Sequence, residues 1–331
     1  MILVTGATGF VGAAVARRIA AEGAALRVLT RPSGDRRNLE GLDAEICEGD
    51  LLDPASLAKA VRGCEAVFHV AADYRLWTRD PGAMMRANID GTVALMRAAM
   101  DAGVHRVVYT SSVATLGINA DRTPANEETP VSIVDMIGPY KRSKFRAEEA
   151  VRRMIAEDGL SAVIVNPSTP MGPRDIKPTP TGRMLVEAAS GKMPAYVDTG
   201  LNVVHVDDVA DGHWRAYKQG EIGERYILGG TDMPLRDILA IVARQTRRRA
   251  PRFRLPHDLI MPVAWAAEGW AILIGRGEPF VTIDGLRMAK KHMYFSSAKA
   301  EAALGYTFRS AEDAVADALA WFRENGYFAN P

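Results

Sequence analysis

A phenol and an ammonium spaced to share one helix face are the first residues in this chain that could do chemistry together. Tyr140-Lys141-Arg142-Ser143-Lys144 opens a helical pattern, and Tyr140 and Lys144 stand one turn apart. A free tyrosine titrates near about 10, too high for efficient proton transfer at neutral pH. A neighbouring ammonium, with an oxidised nicotinamide nearby, favours tyrosinate, so Lys144 and the bound cofactor are expected to lower the Tyr140 pKa. Ser112 closes the run Val107-Val108-Tyr109-Thr110-Ser111-Ser112. A hydroxyl there can hold a carbinol or carbonyl oxygen while a hydride moves at the adjacent carbon.

A second set of residues points to a dinucleotide. The run Gly6-Ala7-Thr8-Gly9-Phe10-Val11-Gly12 follows an apolar strand and opens a helix. Gly6 permits a tight turn, Gly9 lets backbone approach a pyrophosphate, and Gly12 allows close helix packing. The amides around Thr8, Phe10 and Val11 lie at a helix N-terminus, where free N–H groups favour phosphate. NAD enzymes place Asp or Glu after strand 2, but this chain has Thr30-Arg31-Pro32 there. Arg31 can pair with a 2′-phosphate, with Arg36 and Arg37 in reserve, so NADP is expected and NAD stays open. Asp50 and Leu51 follow strand 3, where a carboxylate can accept from adenine. Asp53, ahead of Pro54, suits a helix N-cap better. Thr110, at the end of strand 5, is assigned to the cofactor side.

Those groups need a scaffold that brings strand ends together. Ile2–Val4, Leu26–Leu29, Glu45–Cys47, Ala66–Val70, Arg106–Thr110 and Ala162–Val165 have strand character, separated by helical patterns at Phe10–Glu22, Ala55–Arg62, Ala83–Ala102 and Tyr140–Glu157. Such alternation predicts an α/β fold, a Rossmann doubly wound parallel sheet, and ligands bind beyond its carboxyl edge. From 166 to 183 the chain is rich in proline and reads as an irregular segment, neither helix nor strand. Beyond it, helices alternate with short strands at Val203–Val206, Arg225–Leu228 and Arg252–Leu255. The expected division is a dinucleotide-binding domain of 1–167 plus about 200–229, and a smaller, mostly helical substrate-binding lobe of 168–199 and 230–331.

Composition excludes several classes. With 331 residues, 48% hydrophobic, and a net charge of +1, the chain is globular and gives no general attraction to nucleic acid. Cys47 and Cys64 form no C-x-x-C pair and have no ligand-spaced histidines, so buried thiols and no metal are expected. The opening Met1–Gly6 is strand sequence without signal-peptide features, which predicts a cytoplasmic protein. The apolar stretch Leu259–Ile274 contains Glu268 and is too short to span a bilayer.

On these motifs the chain resembles the extended short-chain dehydrogenase/reductase family over essentially its whole length. The resemblance implies Ser112, Tyr140 and Lys144 as the catalytic set, with Ser111 a less favoured choice for the serine. It implies cofactor contacts from Ala71 and Ala72 in Val70-Ala71-Ala72, from Asn88 in Asn88-Ile89-Asp90-Gly91-Thr92, and from Asn166-Pro167. It also implies a homodimer formed through the helices near 83–102 and 140–157. The segment Ser112-Val113-Ala114-Thr115 lacks the acid that dehydratases carry. More narrowly, the runs Phe68–Trp77, 166–183 and Tyr196–Asp208 are similar to the hopanoid-associated sugar epimerase and dihydroflavonol 4-reductase-like group. That similarity implies a sugar, polyol or lipid-linked substrate.

On the substrate side, Asp73, Tyr74, Arg75 and Trp77 follow strand 4. Arg75 can hold an anionic or polyol group and Trp77 can stack on a ring; the alternative is a surface loop with a packed Trp. Arg174, Lys177 and Arg183 can meet a phosphate, or Asp175 can pair with Arg183. His69 and His205 are expected to be structural. The arginines from Arg244 to Arg254 read as a solvated loop, with peripheral contact to anionic lipid the alternative. The run Leu259–Ile274, with Trp265 and Trp270, is expected to pack on the lobe; an apolar lid or a monotopic membrane contact is the alternative.

Overall fold

Strands that are apolar on both faces form a sheet covered on both sides. In the computed structural model, which describes residues 1–274, 279 and 281–329, such strands make one parallel seven-stranded sheet. They are β1 (Ile2–Thr5), β2 (Leu26–Thr30), β3 (Glu45–Glu48), β4 (Ala66–His69), β5 (Arg106–Thr110), β6 (Ala162–Pro167) and, after β7 (Thr169–Met171), β8 (Ala195–Tyr196) and β9 (Gly200–His205), β10 (Arg225–Leu228). The sheet order is β3-β2-β1-β4-β5-β6-β10, with the chain reversing direction between β1 and β4. That reversal opens the crevice in which doubly wound sheets hold ligands.

Two helical layers cover the sheet. On one face lie α1 (Phe10–Ala21) and, following β9, helix 206–219, and their core includes Val4, Phe68, Val163 and Val209. On the other lie α2 (Pro54–Val61), α3 (Pro81–Met85), α4 (Gly91–Asp101) and α5 (Gly138–Asp158), with Leu57, Leu95, Val107 and Val151 in the core between them. Asp53 caps α2, accepting from the Ala55 amide at 3.1 Å ahead of Pro54. The helix expected over 83–102 is broken by a π-helical turn at Arg86–Asp90. Its extra residue accompanies the burial of Asn88, whose side chain bonds the Asp73 backbone rather than facing solvent.

The Pro-rich segment is more ordered than its composition predicts. It contains β7 and the start of α6 (Pro180–Ala189), because Pro180 sits at the helix start, where its missing N–H costs nothing, and Thr179 caps the helix. Strand β7 pairs in parallel with β9, which joins β11 (Thr231–Pro234) and β13 (His292–Met293) in a second, four-stranded sheet; β12 (Phe253–Arg254) pairs with β8. The helix after β9 is α7 (Val206–Gln219); α8 (Leu235–Thr246), α9 (His257–Ile274), α10 (Ile283–Ala289), α11 (Ala298–Leu304) and α12 (Ala311–Glu324) complete the chain. Helices α6, α8 and α12 pack with β9 around Leu185, Val203, Ile238 and Phe322. Among the described residues no helix is long and apolar enough to cross a membrane.

Helix α9 departs from expectation. Of its residues only Ala264 and Ala271 are buried, so the run from Leu259 to Ile274 does not pack into a core. Cys47 and Cys64 are free and buried.

Candidate active site

All seven strands of the main sheet point the same way, so the loops after them converge on one edge. The first is the glycine turn. Gly6 adopts a left-handed φ of 76°, and a Cβ there would sit 2.7 Å from the Ala71 amide nitrogen. A Cβ on Gly12 would collide with the Gly6 carbonyl, so this glycine lets α1 close onto the turn itself. No side chain caps α1 and no carboxylate lies in its first turn. Its leading amides are available for a phosphate. This cradle fits a dinucleotide pyrophosphate.

Asn38, buried in the loop after β2, ties that cradle to its surroundings. Its amide donates to the carbonyls of Thr8 at 3.2 Å and Arg174 at 3.2 Å. Arg174 holds a left-handed φ of 75°, uncommon for a residue with a side chain. Arg36 and Arg37 are committed to Glu48 and Asp35. Arg31 is exposed at the sheet edge; its carbonyl accepts from the Gly34 amide at 2.9 Å, while its guanidinium makes no hydrogen bond or ion pair among the described residues. The reserve guanidinia are therefore spent on structure while Arg31 is not. Asp50, also exposed, accepts from the Leu52 amide at 2.9 Å, and Leu51 packs against Gly91.

Beyond β5, Ser112 caps a short 3-10 turn, its Oγ accepting from the Ala114 amide at 3.1 Å. The hydroxyl proton is thereby left to donate. Tyr140 lies in the first turn of α5 with its phenol near that hydroxyl. Burial pushes the phenol above its ordinary value, and the Ser112 hydrogen bond works against the rise. The lowering expected from Lys144 together with an oxidised nicotinamide belongs to the cofactor-loaded enzyme. The Lys144 ammonium is buried and donates to the Thr110 carbonyl at 2.8 Å and the Tyr109 hydroxyl at 3.3 Å. Burial brings it down to about 8, with the Glu148 carboxylate opposing.

One turn further along α5, Glu148 completes a column with Tyr140 and Lys144. This residue escaped the reading of the sequence, although its i+8 spacing from Tyr140 was the available signal. Glu148 is buried and accepts from Ser111, from Thr115 Oγ1 at 2.8 Å, from Asn166 Nδ2 at 3.0 Å and from Arg225 at 3.1 Å. Asn166 also donates to the Ser112 carbonyl at 3.0 Å. The network fixes the turn that carries Ser112. It also commits the Asn166 Nδ2 to the scaffold and leaves the buried Oδ1 without a partner among the described residues, while Pro167 ends β6 opposite Leu228. The Thr110 hydroxyl is likewise committed, 2.8 Å from His213 Nε2.

Asn88 binds the remaining loop. Its Oδ1 accepts from the Asp73 amide at 2.7 Å, and its Nδ2 donates to the Asp73 carbonyl and to Ser143 Oγ, each at 2.8 Å. Asp73 and Arg75 pair with each other, Arg75 Nε donating to Asp73 Oδ1 at 2.9 Å. Burial alone would raise the Asp73 carboxyl; the Arg75 hydrogen bonds outweigh it, the Arg31 charge adds to them, and the net direction is down. Trp77 is half-buried under the Arg79 guanidinium, 5.7 Å from its ring centre. Arg183 is exposed near the start of α6, and Asp175 accepts from Thr179. Ala71 abuts Gly6, and Ala72 follows it, partly exposed.

The histidines are structural. His69 bridges Thr5 and Thr92 at 2.8 and 2.9 Å, and burial followed by the Lys144 charge brings it to about 3, so it stays neutral. His205 caps α7 by accepting from the Asp207 amide at 3.0 Å, with Nε2 on Asp317. Asp208 receives Arg309 through its backbone and side chain and anchors the last helix. No group of three potential metal ligands occurs among the described residues.

Comparison with known proteins gives a consistent answer. The model of the NAD dependent epimerase/dehydratase family matches residues 2–229. A Synechocystis sp. protein named provisionally as a dihydroflavonol 4-reductase is 42% identical, covering 98% of this chain and 95% of that protein. The sterol demethylase protein B of Methylococcus capsulatus is 34% identical, covering 98% of both chains. The crystal structure of gox2253 is similar with a TM-score of 0.90 and 55% identity over 99% of each chain. The protein therefore belongs to the NAD-dependent epimerase/dehydratase family and is an NAD(P)-dependent enzyme.

Proposed function

We propose that the enzyme transfers a hydride between nicotinamide and a carbinol or carbonyl carbon of a sugar, polyol or lipid-linked substrate, with NADP preferred. The bound dinucleotide supplies or accepts the hydride. Ser112 donates a hydrogen bond to the substrate oxygen, and Tyr140 exchanges a proton with that oxygen. In the reductive direction the phenol gives up its proton as the carbonyl carbon gains the hydride, and solvent replaces it. Lys144, one turn deeper, offers positive charge against the developing phenolate and a donor for the nicotinamide ribose. The observation carrying this reading is the convergence of Ser112, Tyr140 and Lys144 at the carboxyl end of β5.

One feature weighs against dehydration. Valine and alanine follow Ser112 and are buried, leaving no acid there for dehydration. Whole-length similarity to a sterol demethylase protein supports a lipid substrate, and the resemblance of the runs Phe68–Trp77, 166–183 and Tyr196–Asp208 supports a place in hopanoid side-chain metabolism. Unpaired Arg31 supports the 2′-phosphate. In the same proposal, 1–167 with about 200–229 carry the dinucleotide, and 168–199 with 230–331 carry the substrate, where Arg75, Trp77, Arg174 and Arg183 offer contacts.

Purified enzyme with NADPH and a panel of keto-sugars and sterol or hopanoid ketones tests this. Ketone-dependent NADPH oxidation is expected, and Tyr140→Phe should cut kcat by about 10²- to 10⁴-fold with the NADPH Kd unchanged. Stoichiometric consumption identifies a reductase, and catalytic cofactor turnover an epimerase. Full activity in the Phe variant would remove Tyr140 from the mechanism.

A further inference from the structure

A helix apolar on nearly every side is normally buried. Helix α9 is apolar and largely exposed. It rests on the body along a narrow stripe of Ala264, Glu268 and Ala271: Glu268 accepts from the Ile283 amide at 2.7 Å, and the Ala271 carbonyl accepts from Arg79 at 3.1 Å. On the opposite side Leu259, Val263, Ala266, Trp270 and Leu273 follow one another at intervals of four, three, four and three residues, which aligns them on one face. Trp270 is 63% exposed, Leu273 78%, and Trp265, on a flank, 62%. The helix carries two carboxylates, Asp258 and Glu268. Glu268 faces inward, and Asp258 is paired with Lys290 at 2.7 Å, so the outer face presents almost no charge.

The approach to this helix has the opposite character. Arg247, Arg249 and Arg252 precede it and are exposed, with no ion-pair partner among the described residues. Phe253, between Arg252 and Arg254, is also exposed. An uncharged apolar helix face bearing two tryptophans, entered through unpaired guanidinia, matches the layered chemistry of a bilayer surface: anionic headgroups above, acyl chains below. The helix is not able to cross a membrane, so it would lie in the plane of one.

We propose that α9 and the arginines leading into it dock the enzyme on an anionic phospholipid surface. The assignment rests on surface geometry alone and is independent of the hydride-transfer reading. It has a bearing on that reading because Arg79, which spans from the Trp77 ring to the Ala271 carbonyl, ties α9 to the loop that follows β4. A docked α9 would hold that loop at the lipid boundary.

The test is co-sedimentation of the full-length protein with vesicles of phosphatidylcholine containing phosphatidylglycerol, and with vesicles of phosphatidylcholine alone, at low and high salt. Binding to the anionic vesicles at low salt is expected, with a blue shift of tryptophan emission. Trp270→Glu combined with Leu273→Glu should weaken binding at least about tenfold, because both side chains face outward and charged groups are excluded from the acyl layer. The triple variant Arg247→Ala, Arg249→Ala, Arg252→Ala should weaken it by a similar factor and remove most of the salt dependence. Unchanged circular dichroism and thermal midpoint keep both variants interpretable. Absence of sedimentation with anionic vesicles at low salt overturns the proposal, as does binding that neither variant disturbs. A concentration-dependent dimer that the Glu variant dissociates, without vesicle binding, would overturn it as well and give this face to a second copy of the chain.

Discussion

Replacing Lys144 with Met separates what this residue does for chemistry from what it does to stability. The side chain is buried, and burial lowers its ammonium from 10.5 to about 8. Keeping the group charged in the folded protein at pH 7 therefore costs about 3 kcal/mol relative to the unfolded chain. Met removes that cost but leaves the Thr110 carbonyl without its donor, a loss of about 1–3 kcal/mol, so stability near neutrality should change little. The pH dependence is the sharper readout. Between about pH 8 and 10.5 the unfolded chain still binds the proton that the folded protein has released, so wild-type stability rises with pH through that window. The rise is lost as pH falls through the folded value near 8. The variant lacks this term, so the wild-type minus variant difference should shift in favour of wild type by about 3 kcal/mol from pH 7.5 to pH 10.5. Urea unfolding of both proteins at several pH values measures it directly, and kcat should fall by about 10²-fold or more in the variant. A stability difference that stays flat over this range would refute the burial argument for Lys144, and with it the charge assigned to that position.

Other positions give simpler outcomes. Gly12→Ala should abolish dinucleotide binding, measured by protein fluorescence quenching, because the added methyl collides with the Gly6 carbonyl and forces the turn open. Glu148→Gln should lower stability by about 3 kcal/mol in urea unfolding, since it strips the buried charge partner from Arg225, and should reduce kcat more than it weakens cofactor binding. Arg31→Ala should weaken NADPH at least about tenfold while leaving NADH within about twofold, by titration calorimetry; equal losses for both would assign Arg31 to the adenine instead.

The main sheet was readable from sequence because its strands, apart from the exposed edge strand β3, are buried on both faces and so appear as largely apolar runs. Ile2–Val4, Arg106–Thr110 and Arg225–Leu228 fall within a residue or two of their observed positions. The glycine turn was equally legible, since only glycine tolerates what Gly6 and Gly12 must do. The order within α5 was harder. Tyr140 and Lys144 announce themselves by type, but Glu148 looks like any carboxylate on a helix until β6 and β10 bring Asn166 and Arg225 against it. Local spacing carries no information about such distant partners. The orientation of Lys144 was hidden for the same reason: it is turned toward Thr110 and Tyr109, a choice made by packing and not by helix periodicity. Helix α9 misled because apolar composition predicts burial only when something is present to cover it.

The route of the chain through its two sheets also bears on how the protein can be divided. The main sheet is not finished when the polypeptide leaves it at Pro167. The chain first lays down β7 and β9 in the second sheet and only then returns with β10 to cover the edge of β6. A fragment ending before Arg225 would leave Ile164 and Val165, both fully buried in the intact chain, along a bare strand edge open to self-association. The main sheet is consequently sewn to the second sheet by its own last strand, and neither should survive as a free-standing module after proteolysis or recombination.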